Sequence, residues 1–285
     1  MGAMNIKDHF SVWLKAVRQS VALNSVLGAA SLSYFALLSF FPLILLIVAI
    51  ASHWFDPLWV ESELITRLEF VMPGITQLVG SNLARLVEAR SSVTTFASLL
   101  LVWSGSTLFS MLSRILDRIW NGTEVRAGIR YRGFALLFVG GLSVIILPLL
   151  FILNWITPLA SGWFPPSWSL PSPVITLLFP PLVSILLFGL LYRLLPHAGP
   201  ALQDLWSGAI AAGILWEIAK KGFVAYTANF ISGSNLVYGS VSTIIAFLMW
   251  VYISALIFFF GANLALEYNL HGKDEHQRQT RRWDD

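Results

Sequence analysis

Within one long apolar run, 204–228, three charged residues stand close together: Glu217, Lys220 and Lys221. Residues three or four apart on a helix are neighbours, so Glu217 can reach either lysine but can neutralise only one. As a helix the run is about 37 Å long, enough to cross a bilayer, and Glu217 lies about 20 Å from the Asp204 end, near the midplane. A charge at that depth costs about 2.5–3.5 kcal/mol even on the mildest scale. The surplus ammonium therefore calls for water or an anionic guest. One reading is a polar cavity, with Glu217, Lys220 and Lys221 sharing a face with Gly213 and with Trp216 beside them. The other is a structural ion pair whose second lysine stretches its stem toward the outer interface. Tyr34, Ser106 and Asn263, with Ser39, Ser104 and Asn154, are further polar groups at depth that such a cavity would gather. Singly, each is expected to make a packed helix–helix hydrogen bond, and only together would they line a cavity. Trp103, Trp216 and Trp250, also at mid-span, are expected in the packed core, because large aromatics dominate packing energetics.

Other chemistry finds no residues to perform it. There is no cysteine, which excludes thiolate metal sites, disulfides and thiol nucleophiles. The five histidines (His9, His53, His197, His271 and His276) are scattered, with no second ligand at metal spacing inside a span. No phosphate-cradling glycine loop or Ser-His-Asp pattern occurs, so no enzyme, metal or cofactor is expected. Arg126, Arg130 and Arg132 form a basic loop that reads as lipid-headgroup attraction or a topology determinant, not nucleic-acid binding.

These residues must be held by helices. Of 285 residues 56% are hydrophobic and 12% charged, about half the charged fraction of a soluble domain, and mean hydropathy is +0.73. Several apolar runs exceed the roughly 18 residues that mark a spanning helix. The expected fold is an all-α membrane protein with six transmembrane helices, at about 25–52, 92–115, 133–156, 173–195, 204–228 and 241–266. The first apolar run is too long for a signal-peptide core, and no cleavable signal is expected.

Residues 1–24 are read as a cytoplasmic interfacial helix, with Ile6, Phe10, Trp13, Val17 and Val21 on its apolar stripe. Residues 53–91 form amphipathic outer-face segments, and Asn229–Asn235 a polar turn. Residues 267–285 form a polar, mobile cytoplasmic tail. Pro42, Pro148 and Pro180-Pro181 are expected to kink or interrupt their spans. Thirteen of the eighteen Lys and Arg fall on the side of the two termini and three on the other, the remaining two being Lys220 and Lys221. That bias places both termini in the cytoplasm.

An ordered set of segments resembles the YihY/BrkB-like family of bacterial inner-membrane proteins, once labelled ribonuclease BN. It begins with Ala29-Ala30-Ser31-Leu32-Ser33-Tyr34-Phe35 leading to Phe41-Pro42, then Trp103-Ser104-Gly105-Ser106 and Leu116-Asp117-Arg118-Ile119-Trp120. Tyr192-Arg193-Leu194-Leu195-Pro196, Leu215-Trp216-Glu217, Tyr238-Gly239-Ser240, Trp250-Val251-Tyr252 and Phe260-Gly261-Ala262 complete it. The resemblance spans about Asn5 to Tyr268. It departs at Asn263, where the last motif often continues with an acid. It implies a six-span protein of the bacterial inner membrane linked to the envelope, with transport of a lipid or amphiphile suspected. The expected function is a transporter or flippase of an anionic envelope lipid, and the alternative a structural or scaffold protein. Membrane lipids are the expected partners and nucleic acid is not; a homo-oligomer is compatible with the pattern.

Overall fold

A backbone surrounded by hydrocarbon must satisfy its own N–H and C=O groups, and a helix does so within one segment. The computed structural model describes residues 6–51, 90–122, 172–196, 202–238 and 240–284. They form six helices: α1 (Ile6–Ser20), α2 (Leu23–Ala51), α3 (Arg90–Asn121), α4 (Ser172–Leu194), α5 (Leu202–Tyr238) and α6 (Ser240–Asp284). No strand occurs among the described residues. Leu23–Phe40, Leu99–Asn121 and Ile244–His271 are long and apolar enough to cross a membrane, and a shorter apolar stretch covers Pro180–Leu194. Helix α5, which carries Asp204, Glu217, Lys220 and Lys221, is not one of those three. The expected third span, 133–156, lies outside the described residues, as do nearly all of the outer segments 53–91 and the link 157–172.

Several expectations are corrected. The polar turn Asn229–Asn235 is helical and belongs to α5. The polar tail, read from the sequence without a secondary structure, is helical, α6 running on to Asp284. Its Glu, Lys, Gln and Arg residues are good helix formers, and no proline stops them. Pro42 sits inside α2 and Pro180-Pro181 inside α4 without ending either helix. Where the chain does stop, local chemistry explains it. Gly122 takes a positive φ of 67° and donates its N–H to Arg118 O at 3.0 Å, closing α3. Pro196 follows the last bonded amide of α4, Leu195 N to Leu191 O.

Helix α6 is the hub, packing against α5, α2 and α1, and more lightly against α3. Helix α4 joins through α5, and α3 through α2. The core gathers around residues 255–262 of α6, where Ala255, Phe258, Phe259 and Ala262 meet residues of α2, α3, α4 and α5. Lipid is as apolar as leucine, so close van der Waals contact, not burial as such, holds these helices together. Gly208 of α5 and Gly261 of α6 show this directly. A methyl group on either would collide with the other's carbonyl oxygen. Tyr192 on α4 donates to Phe258 O at 2.7 Å, and Ser39 Oγ of α2 to Ser104 Oγ of α3 at 3.0 Å.

Helix α1 docks on the bundle with a face other than the bulky apolar stripe. Val12, Ala16 and Ser20 face the bundle, and Val12 and Ala16 pack on Phe260 and Leu264 of α6. Phe10, Trp13, Val17 and Val21 remain exposed. The small side chains at 16 and 20 allow the helix to come close, whereas the bulky stripe does not. Its polar edge is pinned as well: Gln19 Nε2 donates to Glu267 Oε1 at 2.8 Å, and His9 Nδ1 lies 3.0 Å from Tyr268 Oη.

Candidate functional site

The inward stripe of α5 runs through Leu205, Ala209, Ala212, half-buried Trp216, Lys220, Phe223 and Thr227, three or four residues apart as a helix face requires. Lys220 lies on this stripe with only 9% of its surface exposed. Glu217, one turn earlier, sits at the stripe's edge toward α4. Their side chains meet at 2.9 Å, Nζ to Oε1.

The pair has further support from both neighbouring helices. Ser184 of α4 places its Oγ 2.7 Å from the same Glu217 oxygen and 3.0 Å from Pro180 O. One hydroxyl proton can serve only one of them at a time, and the charged acceptor makes the stronger bond. The Lys220 ammonium lies over the Trp216 ring, 4.6 Å from its centroid, a cation–π arrangement. Trp216 in turn donates Nε1–H to Ser254 Oγ of α6 at 3.0 Å. Trp216 and Phe223 both approach Trp250 of α6, at centroid distances of 5.8 and 4.9 Å, and Phe188 of α4 meets Trp216 edge-on at 6.0 Å. The result is a neutral ion pair walled by aromatic rings and braced by two serines.

Lys221 is not part of it. Its side chain is on the exposed side of α5 near Ile218 and Leu215, because one residue along a helix is a 100° rotation. The expectation that both lysines share a face with Glu217 and Gly213 is thus corrected: Gly213 and Lys220 are buried, with Glu217 beside them, and Lys221 points elsewhere. Gly213 packs tightly on Ile185 of α4.

The remaining expected residues bond in other places. Tyr34 is 56% exposed on α2 with its ring edge-on to Phe35. Ser106 is buried and donates to Trp103 O of its own helix at 3.0 Å. Asn263 donates to Phe259 O at 2.8 Å and reaches Ser20 Oγ of α1 at 3.4 Å, about 13 Å along α6 from Ser254. Asn154 lies outside the described residues. Of the mid-span tryptophans, Trp250 is buried as expected, Trp216 half-buried, and Trp103 54% exposed.

Sequence reasoning missed Ser184 and Ser254. Polarity inside an apolar run, the signal that singled out Ser104 and Ser106, applies equally to both. Among the described residues no group of three His, Asp or Glu could hold a metal ion.

Comparison with known proteins adds a family. The sequence model of the virulence factor BrkB family matches residues 17–284. A UPF0761 membrane protein of Alteromonas mediterranea is 26% identical over 262 residues, covering 91% of this chain and 87% of that relative. One from Cronobacter sakazakii is 28% identical over 248 residues, 84% of this chain and 81% of the relative. One from Chlorobium limicola is 30% identical over 252 residues, 84% of this chain but 54% of the longer relative. No solved structure matches the chain.

Proposed function

The chain belongs to the virulence factor BrkB family of membrane proteins, and from that footing we propose that it carries an anionic lipid or amphiphile across the bacterial inner membrane. The observation that carries this reading is the Glu217–Lys220 pair on α5, with a second ammonium, Lys221, one residue further on an exposed side. In the resting state Lys220 is neutralised by Glu217. An anionic headgroup approaches through Lys221 and then competes with Glu217 for Lys220. The released carboxylate keeps the Ser184 hydroxyl, and the Trp216 ring holds the ammonium during the exchange. Each charge in the membrane thereby passes from one partner to another, avoiding the several kcal/mol of an isolated charge at the midplane. Six spans with both termini in the cytoplasm, the interfacial setting of α1 and an envelope role all belong to the same proposal. The lines of transport chemistry it requires are charge exchange and motion, and no catalytic step.

The test is transbilayer movement of a short-chain fluorescent phosphatidylglycerol in proteoliposomes of the purified chain. Movement about tenfold or more above protein-free vesicles, lost in Lys220→Met/Lys221→Met while the variant stays monodisperse and helical, is the expected result. Equal rates in wild type, variant and empty vesicles would overturn it.

A second reading has its own observation. Glu217 Oε1 already receives both Lys220 and Ser184, as a closed structural pair locking α4 to α5 would. On that reading the protein is a scaffold of the envelope. The paired variant Glu217→Gln/Lys220→Met separates the two: a scaffold keeps its cellular role when both charges leave together, and a carrier does not.

A further inference from the structure

Helix α3 carries a second polar face, different in kind from the charged pair on α5. Ser106, Ser110, Ser113, Asp117 and Trp120 recur every three or four residues. At about 100° per residue they fall within an arc of about 80° and run about 21 Å along the helix. The three serines are buried, and Asp117 is fully so. The opposite side of α3, with Leu108, Met111, Ile115 and Ile119, packs into the hydrophobic core. Ser110 is the central residue of Leu99–Asn121, the part of α3 long and apolar enough to cross a membrane. At that depth no bulk solvent is at hand to satisfy a hydroxyl.

Other hydroxyls of this helix meet that demand with a carbonyl. Ser104 Oγ donates to Leu100 O at 2.7 Å, and Ser106 Oγ and Thr107 Oγ1 to Trp103 O at 3.0 and 2.8 Å. Ser113 Oγ reaches across to Leu195 O of α4 at 2.8 Å. Ser110 does neither. It is 2% exposed, and its Oγ has no hydrogen-bond partner in the protein. The Trp120 Nε1–H, about 15 Å further along the same face, is likewise buried without a partner. Buried polar atoms are nearly always bonded, and where the protein supplies no partner an ordered water does.

We propose that this face of α3 binds water, forming a narrow hydrated track that enters at the Trp120 end and reaches Ser110 at mid-membrane depth. The donor and acceptor chemistry suits water. An indole N–H can only donate, and the carboxylate of Asp117, one turn before it, can only accept. Water does both. It accepts from Trp120 and donates to Asp117, which has partners of its own but offers about four lone-pair sites. Ser113 has spent its proton on Leu195 O and keeps lone pairs for a water's hydrogen. Ser110 takes its bonds from water alone. The track goes beyond the carrier reading, because its hydration requires neither Lys220 nor Lys221.

The chain contains no cysteine, so one introduced thiol reports on its own position without background. Ser110→Cys is close in size to the native residue. Silver ion is small enough to follow a water track, and it combines with the thiolate, the form that dry apolar surroundings disfavour. Full-length single-cysteine variants in lipid nanodiscs are exposed to silver ion and then denatured, and the remaining thiol is titrated with a maleimide. Ser110→Cys is expected to react about tenfold faster or more than Leu112→Cys, which lies two residues away at similar depth but packs against the core. Ser106→Cys makes the same comparison one turn deeper should Ser110→Cys misfold. A folded Ser110→Cys, or Ser106→Cys in its place, that reacts no faster than Leu112→Cys overturns the proposal. Adding Lys220→Met/Lys221→Met to Ser110→Cys should leave the silver reaction unchanged. Lost transport with silver access intact thus counts against neither idea, whereas absent transport in wild type sinks only the carrier and absent access only the track.

Discussion

Helices α5 and α6 meet along one seam whose two stretches are built in contrasting ways. Around Gly208 and Gly261 the backbones touch, with no room for a methyl group. Eight residues along α5, about 12 Å away, the seam is filled by Trp216, Trp250 and Phe223, with Lys220 and Ser254 bonded among them. The first stretch is held by proximity alone and the second by matched polar partners. In lipid this difference sets what each can tolerate. A close contact fails when atoms are added, and a paired charge fails when its partner is removed.

The sharpest way to break the comparison is at the charged stretch. Lys220→Met leaves Glu217 with Ser184 alone, and removing one member of a buried pair costs about 3–5 kcal/mol. Thermal unfolding of the detergent-purified protein should show this as the largest loss, and Glu217→Gln/Lys220→Met should recover most of it. A single variant as stable as wild type would mean the pair is well solvated. Next comes the bare stretch, where Gly261→Val forces α5 and α6 apart at a cost of about 1–3 kcal/mol or more. The same melt should detect it, with weakened α5–α6 crosslinking as a second readout.

Smaller effects sharpen the contrast. Ser254→Ala keeps the Trp216 ring in place and removes the hydroxyl that accepts its N–H. Inter-helix hydrogen bonds in membranes average about 0.6 kcal/mol and reach about 1.7, so a small shift in the melt is expected. Gly222→Ala should cost nothing, since an added Cβ there meets nothing within 4 Å, and the gain in helix propensity is at most about 1 kcal/mol. Destabilisation at Gly222 comparable with that at Gly261 would show that glycine content, not close approach, governs this seam.

Much of this arrangement was legible before any coordinates. The spacing of Glu217, Lys220 and Lys221 predicts that the carboxylate meets one of the two lysines, because it depends only on helix geometry. Gly208, Ala209 and Ala212 likewise announce a close-packing face, and all three are buried. The choice between Lys220 and Lys221 was not legible. Either can reach Glu217 within one helix, and the rotation of α5 against α4 and α6 selects between them. Ser184 and Ser254 were missed because their partners lie 33 and 38 residues away in sequence. For α1, the bulky stripe was read correctly as apolar, but the docking face uses Ala16 and Ser20, whose merit is small size, which a hydropathy pattern does not register. The helical stretch 229–235 was misread as a turn because polarity was taken for irregularity.

By itself the sequence determined that this is a helical membrane protein of the BrkB family with charge embedded in an apolar run. Hydrocarbon admits few backbone solutions, and composition is enough to select among them. Tertiary structure alone decided which ammonium meets the carboxylate, which serines brace the pair, and which serine of α3 is buried without a partner. Those outcomes depend on how each helix is rotated against its neighbours, and that rotation is fixed by contacts between residues far apart in the chain.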